Sequence, residues 1–530
     1  MFRLKKIGFF AGLLALILLS VFSVRIFASF AQRSSQEKPK ATEALFEKGK
    51  ALYQKQCAVC HGAQGRADGS AAYLLNPKPR NFAQDKFRLV SATTGATDED
   101  LFKVITRGMP GSAMPPWGHL TREERWALAY YVRSLSEIEK GKQKTEMADL
   151  IQIPQEPAAT PEALKRGEGL FKVSCAGCHG AQGKGDGQQK MVDTLGYATR
   201  PRDLTAGIFK GGSSSKELYL RMIGGMPGTP MPSYSGTFTQ EQVWDLIHYV
   251  QTLSKEGASE RVRLKFSQIK ARKISGKIDP NPLGGEWQKG EPVFVALAPL
   301  WWRDNRIDGV EVQALHNGKE IAFYLKWNDA TRDKDIVAVQ SFSDAAALEF
   351  SEQKNPPFFG MGSGEAPVHL WHWKAAWEQV GNEREDVDTE YPHAAVDWYE
   401  SQSTYPHGSA FEAAESKTRF HDPEFTTGWG AGNPVSNPLN MESAEEATAK
   451  GLGSYTTQLP KREKVKAKGV WEKGVWHLVF IRSLKSSERE GLDFRPGSAM
   501  RIAFALWDGF HKDRNGQKMV SIWNELILER

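Results

Sequence analysis

The sequence predicts a multidomain chain: an N-terminal membrane helix, two copies of one small all-α domain, and a C-terminal all-β sandwich carrying a long aromatic-rich insertion. Three observations carry this prediction. A Cys-x-x-Cys-His motif occurs twice, at Cys57–His61 and Cys175–His179, 118 residues apart, and uses all four cysteines of the 530-residue chain. An uncharged run of 18 residues, Ile7 to Val24, follows a basic start. From about Ser259 onward the apolar residues stop recurring at helical spacing and begin to alternate, the period of a half-buried strand.

The first element is the apolar run. Arg3, Lys5 and Lys6 precede it and Arg25 ends it. A signal-peptide core is usually about 7–15 residues, whereas about 18 or more reach the length of a membrane helix. The flanking positive charges keep the N-terminus in the cytoplasm and export the rest. Residues 1–31 are therefore read as a signal or anchor helix with the body on the periplasmic side of the cytoplasmic membrane. Ser29-Phe30-Ala31 would be the cleavage site of a removable signal. A net charge of +6 without long basic runs gives no footprint for nucleic acid.

The repeated motif is the attachment signature of a c-type haem: two thiols for the porphyrin vinyl groups and an imidazole for the iron. A disulfide framework fits poorly, because each pair ends in His inside matching contexts. Gly49 and Tyr53 precede the first motif as Gly167 and Phe171 precede the second, and both continue His-Gly-Ala-Gln-Gly. Downstream, Gly108-Met109-Pro110-Gly111-Ser112-Ala113-Met114-Pro115 mirrors Gly225-Met226-Pro227-Gly228-Thr229-Pro230-Met231-Pro232. Each copy closes with a helix whose start has capping-box spacing, Thr121 with Glu124 and Thr239 with Gln242. The copies occupy residues 40–140 and 161–256, with a linker at 141–160.

Both copies resemble class I cytochromes c. The resemblance implies two covalently bound haems c, held by Cys57, Cys60, Cys175 and Cys178, with His61 and His179 as proximal ligands. It also implies Met114 and Met231 as distal ligands, leaving Met109 and Met226 as core methionines and His119 and His248 as packing residues. A thioether ligand favours ferrous iron and raises the potential. Six-coordinate iron of this kind carries electrons and has no open position for a substrate.

The C-terminal half reads as strands. Arg261 to Phe266 alternates basic and apolar residues, and Val310, Val312 and Ala314 alternate with polar neighbours. His316-Asn317-Gly318-Lys319 supplies a hairpin turn, after which Ile321, Phe323, Leu325 and Trp327 share a face. Trp476 to Ile481 and Met500 to Leu506 are further strands, with a turn at Lys473-Gly474. Several strands joined by Gly, Asn and Asp turns point to a β-sandwich. The stretch from Glu378 to Lys468 lacks periodicity and reads as an ordered excursion, with a helix near Ser443 to Lys450.

Residues 259–530 resemble the haem-b-binding γ or C subunits of ethylbenzene dehydrogenase, dimethyl sulfide dehydrogenase, and chlorate and selenate reductases, with relatives in nitrite oxidoreductases. The segments that carry the resemblance include Val312 to Phe323, Leu325 to Asp329, and Phe359-Gly360-Met361-Gly362 leading into Pro367 to Ala375. Gly430 to Asn433, Gly469 to Trp476, Ala505 to Gly509 and Asn515 to Ser521 complete it. It implies a DOMON-like sandwich holding one non-covalent haem b through Met361 and Lys518. A lysine ligates iron only as the neutral amine, so burial must depress its pKa. His369 and His372 are rival ligands, and Met519 would face away from Lys518.

The expected function is that of an extracytoplasmic trihaem electron-transfer subunit, non-catalytic itself. It would relay electrons between an iron–sulfur/molybdenum oxidoreductase and a soluble cytochrome c or terminal oxidase. Two other classes fit less of the sequence. One is a dihaem cytochrome with a haem-free β-sandwich for docking or ligand binding. The other is a haem enzyme such as a dihaem peroxidase, which the paired Met-Pro loops oppose.

Overall fold

The computed structural model describes residues 38–138, 149–287, 290–335, 338–357, 360–378, 393, 443–458, 465–486 and 491–530. The expected anchor at 1–31 lies outside the described residues, as do the first part of the linker and most of the aromatic-rich excursion. Among the described residues no helix is long and apolar enough to cross a membrane.

Each repeat folds as three main helices plus one turn of helix at the cysteine motif. The first contains α1 (Glu43–Gln56), α2 (Ala58–His61), α3 (Asp98–Arg107) and α4 (Arg122–Ser134). The second contains α5 (Pro161–Ser174), α6 (Ala176–His179), α7 (Ser215–Gly224) and α8 (Gln240–Thr252). Both anticipated capping boxes form, Thr121 with Glu124 and Thr239 with Gln242. The repeated glycines mark the helix crossings. A Cβ on Gly49 would lie 2.1 Å from the Ala127 carbonyl oxygen of α4, and one on Gly167 would lie 2.1 Å from that of Asp245 in α8. Only glycine lets these backbones meet, and the next turn then stacks Tyr53 on Tyr131 and Phe171 on Tyr249. The second repeat is not purely helical: β1 (Met191–Val192) and β2 (Ala198–Thr199) form a small antiparallel hairpin.

The two repeats are packed together. α3 and α7, equivalent helices of the two copies, meet through the Arg107–Glu217 ion pair. Arg221 donates to the Val90 carbonyl, and Arg88 Nη2 lies 2.9 Å from Asp193 Oδ2.

The C-terminal half is β-rich. Its strands are β3 (Gln268–Lys273), β4 (Val293–Ala296), β5 (Ala298–Pro299), β6 (Gly309–His316), β7 (Glu320–Asn328), β8 (Ala345–Ser351) and β9 (Val368–Lys374). There follow β10 (Ala444–Ala449), β11 (Thr456–Thr457), β12 (Lys466–Glu472), β13 (Val475–Ser483), β14 (Ala499–Trp507), β15 (Met519–Val520) and β16 (Asn524–Leu528). One ladder runs β11-β10-β9-β8-β14-β16-β3-β6-β7-β13-β12 and folds back on itself. The turn is made at the parallel β16–β3 pair, so β8 and β9 pack across the core from β7 and β13. Phe323 of β7 lies 5.6 Å from Phe350 of β8 and 5.7 Å from Trp371 of β9, ring to ring. Ile321, Phe323, Leu325 and Trp327 all face this core, as their alternation required. The turns at Asn317-Gly318 and Lys473-Gly474 close the β6–β7 and β12–β13 hairpins.

Two local expectations are corrected. Arg261 to Phe266 is not a strand: α9 (Ala258–Arg261) ends there and the chain stays unpaired until β3 begins at Gln268. Its apolar residues Val262 and Leu264 instead fill the junction with the first repeat, beside Met109 and Pro110. The helix near Ser443 to Lys450 is strand β10, paired along its whole length with β9. Its Ala-Glu composition favours helix, but propensity is a weak prior that tertiary context overrides. The pairing and the inward contacts of Glu445 with His372 and of Glu446 with Arg482 override it.

Candidate cofactor sites

The end of α1 delivers Cys57, and α2 turns Cys60 and His61 onto one wall of a slot between the helices of the first repeat. The facing loop brings both Met109 and Met114 to the same slot. The second repeat places Cys175, Cys178 and His179 opposite Met226 and Met231 in the same way. Met109 and Met226 thus line the slots alongside Met114 and Met231. Each loop is closed by its own backbone, Met109 N–H donating to the Met114 carbonyl at 3.1 Å and Met226 N–H to that of Met231 at 3.2 Å, and this sets both methionines on one wall. All four cysteines are free of disulfides.

The imidazoles are prepared as ligands. His61 Nδ1 lies 3.0 Å from the Arg80 carbonyl, which can only accept, so Nδ1 carries the proton and Nε2 keeps its lone pair. Burial lowers the pKa of His61 to about 4, and burial with a contribution from Lys210 lowers that of His179 to about 4, so both rings are neutral. The Nδ1 atom of His179 has no hydrogen-bond partner among the described residues. Basic side chains line both slots, Arg80 and Arg88 in the first, Arg202 and Lys210 in the second. Burial depresses the Lys210 ammonium well below its usual range. His119 is exposed beside Trp117 and His248 packs on Trp244 with its Nε2 3.1 Å from Glu156, so neither reaches a slot.

A third and larger cavity, about 1320 Å³, opens on the outer face of β8 and β14. Its floor is flat because small residues line it: Ala347 of β8 lies opposite Ala505 of β14, with Ala345 opposite Trp507 and Ala503 opposite Glu349 to either side. Met361 and Lys518, 157 residues apart in sequence, both line this one cavity. Met519 is turned into the core, as its neighbour's position required. Lys518 Nζ sits 4.7 Å from the Trp507 ring centre, and burial lowers its pKa while Glu349 opposes the shift. Glu349, also on the cavity, is raised to about 7 by burial. Of the rival histidines, His372 lines the cavity and His369 does not. His372 Nδ1 is 3.2 Å from Glu445, whose carboxylate also accepts from Tyr455 and Thr457.

Sequence reasoning missed the alanine floor on β8 and β14 and Glu349 on β8, and it missed who supplies the side wall. That wall is Tyr73 and Leu74 of the first repeat. A short ladder joins the two sites: Leu300 N–H donates to the Lys518 carbonyl at 3.0 Å, and Asn76 N–H donates to the Leu300 carbonyl at 3.0 Å. The next residues, Pro77 and Lys78, line the first cysteine slot.

Twin cysteine–histidine slots, each faced by methionines, joined to a β-rich domain with a flat-floored cavity, define a cytochrome c-containing electron-transfer protein. Comparison with known families makes this specific. Residues 44–132 match the family described as cytochrome c oxidase, cbb3-type, subunit III, and residues 164–254 match cytochrome c. Residues 285–519 match the ethylbenzene dehydrogenase family. The chain is two cytochrome c domains, a class with covalently bound haem c, joined to an ethylbenzene-dehydrogenase-type domain.

Among its relatives is a putative respiratory nitrate reductase heme subunit of Haloferax mediterranei, 24% identical over 222 residues, 42% of this chain and 56% of that protein. The chlorate reductase gamma subunit of Ideonella dechloratans is 22% identical over 268 residues, 49% of this chain and 83% of that one. The dimethylsulfide dehydrogenase gamma subunit of Rhodovulum sulfidophilum is 24% identical over 212 residues, covering 40% and 57%. The chain thus spans little more than half the length of the first and third of these relatives.

Proposed function

We propose that this chain is an extracytoplasmic trihaem electron-transfer subunit holding two haems c and one haem b. The observation that carries the reading is the convergence of Met361 and Lys518 on one alanine-floored cavity that abuts the first cytochrome. A flat floor of small residues suits a planar macrocycle. A thioether and a buried amine, whose charge burial disfavours, suit its iron. The haem irons would carry one electron each between their ferrous and ferric states.

The protein residues hold and insulate. Cys57, Cys60, Cys175 and Cys178 form the thioether attachments, with His61, His179, Met114 and Met231 as axial ligands. His61 is fixed in orientation and tautomer by the Arg80 carbonyl. Arg80 and Arg88 in one slot, and Arg202 and Lys210 in the other, supply the positive charge that haem carboxylates require. The Lys518–Leu300–Asn76 ladder supports the first cytochrome as the neighbour of the C-terminal cavity, with the second joined to the first through the α3–α7 contact.

By analogy with its relatives, the C-terminal domain docks on an iron–sulfur/molybdenum oxidoreductase, and the second cytochrome meets a soluble cytochrome c or a terminal oxidase. Residues 1–31 would hold the assembly at the periplasmic face of the membrane. Pyridine haemochrome quantitation with acid–acetone extraction tests the reading. Two covalent haems and one extractable haem b per chain are expected. Two covalent haems with nothing extractable, from cells supplied with excess haem, refute the haem b assignment and favour a haem-free docking module.

A further inference from the structure

Glu349 occupies a place in the C-terminal cavity that neither axial-ligand assignment uses. Strand β8 points Ala345, Ala347 and Glu349 toward the cavity and Leu348 and Phe350 into the core. The surface that Glu349 leaves exposed therefore faces the cavity. Its Oε1 accepts the backbone N–H of Met361 at 2.6 Å. Its Oε2 lies so close to Gly360 that a Cβ there would come within 2.3 Å.

Met361 itself is held in an unusual backbone state. Its φ is +86°, one of few non-glycine residues on the left-handed side among the described residues. Such a conformation persists only where neighbouring contacts determine it. Here the contacts are explicit. The N–H is taken by Glu349, the carbonyl accepts from Gly451 N–H at 2.6 Å, and Gly362 follows at φ +65° with no space for a side chain against the Ala366 carbonyl. The carboxylate clamps Gly360-Met361-Gly362 from the side of the cavity.

We propose that Glu349 is a positioning residue for the Met361 thioether. It pins the left-handed turn that presents Met361 to the cavity shared with Lys518. The inference rests on the haem b reading above and goes beyond it by assigning a residue that neither motif nor spacing indicated. The hydrogen bond needs an acceptor, not a charge. Glutamine, whose amide oxygen can accept the same N–H, should preserve the arrangement, and alanine should release it.

The test uses the full-length haem-loaded protein, reduced with dithionite and exposed to carbon monoxide. A haem that keeps both axial ligands resists this gas, and one that loses a weak thioether ligand admits it. Wild type and Glu349→Gln should bind essentially none at the b-type haem. Glu349→Ala should bind about one per chain, as should Met361→Ala, the direct control. Extractable haem per covalent haem, measured on each sample, shows that the site is filled. Glu349→Ala that retains haem b and still rejects carbon monoxide overturns the inference, and so does Glu349→Gln that behaves like the alanine variant. If Glu349→Ala fails to accumulate, Gly360→Ala asks the same question by displacing the carboxylate, with the same two readings. Wild-type protein with no extractable haem is a different result: it refutes the haem b reading itself.

Discussion

Replacing Asp344 by asparagine should remove most of the alkaline sensitivity of the C-terminal domain. Asp344 is fully buried at the entrance to β8 and accepts hydrogen bonds from the backbone of Asp333 and Gly509 and from Trp476 Nε1 at 2.8–3.0 Å. It shares a buried cluster with Asp329 and Asp508, the three offering carboxylate oxygens within 4.8 Å of one another. Asp508 has Arg303 and His511 as partners, whereas Asp329 Oδ2 has no hydrogen-bond partner among the described residues. Burial, and next the charge of Asp329, raise the Asp344 pKa from 3.8 to about 8, and burial with Asp508 raises Asp329 to about 6.

A folded-state pKa above the unfolded one means that the native protein holds the proton more tightly. The cluster therefore imposes no penalty below the unfolded value of about 3.9; stability falls as pH rises from there and levels off once pH passes the folded value of about 8. The full Asp344 shift corresponds to about 6 kcal/mol at 1.36 kcal/mol per unit. Part of it is mutual repulsion that relaxes when a neighbour keeps its proton, leaving about 3 kcal/mol. Asparagine keeps one acceptor, its Oδ1, for Asp333 N–H and Trp476 Nε1, and gives up the acceptor of Gly509 N–H. That loss, about 1–3 kcal/mol, is the same at every pH and cancels when each protein is compared with itself. The assay is urea or thermal unfolding of both proteins at pH 5 and pH 9. Wild type should lose about 3 kcal/mol over this interval relative to the variant. Equal losses in the two proteins would refute the argument.

Other consequences follow from the same geometry. Gly49→Ala forces α1 off α4 and should destabilise the first cytochrome by about 2 kcal/mol or more, with covalent haem per chain falling from two toward one. The equivalent Gly167→Ala should do the same to the second domain alone, which peptide-level haem staining can assign. Lys518→Ala should reduce extractable haem about tenfold or more, consistent with loss of an interaction worth at least 1.4 kcal/mol, while both covalent haems stay. Arg202→Gln removes the 2.7 Å hydrogen bond to the Gly111 carbonyl and the stacking on Trp302. It should speed proteolysis between the domains and, because Arg202 also lines the second slot, lower covalent haem in the second domain alone.

How much of this was legible in the sequence depends on the range of the interaction that decides each feature. The helix starts at Thr121 and Thr239 are settled within four residues, and they stand where read. The Asn317-Gly318 turn and the face shared by Ile321 to Trp327 are likewise local facts. Arg261 to Phe266 alternates correctly for a strand but has no partner strand to pair with, because its apolar side chains are taken by the cytochrome junction. β10 has helix-forming composition and is a strand only because β9 is there to receive it. At the site, Met361 and Lys518 were reached through resemblance alone. Glu349 escaped because Ala345 to Phe350 resembles an alanine-rich helix until its neighbours show that every second residue faces a cavity.

The junction of the domains gives a reason for carrying both cytochromes in the same chain as the β-domain. Arg202 of the second cytochrome reaches the methionine loop of the first through Gly111. In the reverse direction, a Cβ on Gly228 in the second methionine loop would lie 2.8 Å from Asp85 of the first. The loops thus interlock as the two halves of a pseudo-symmetric pair, with each copy contributing an arginine-bearing segment to the other. The β-domain breaks that symmetry. Its Leu300-Trp301-Trp302 segment binds the backbone of Asn76 in the first copy, while to the second copy it offers the Trp302 ring and Asp304, side chains rather than backbone. Backbone hydrogen bonds fix a separation, whereas side-chain contacts tolerate movement. The arrangement therefore holds the first cytochrome at a set distance from the C-terminal cavity by backbone contacts, with the second locked to the first through the interlocked loops.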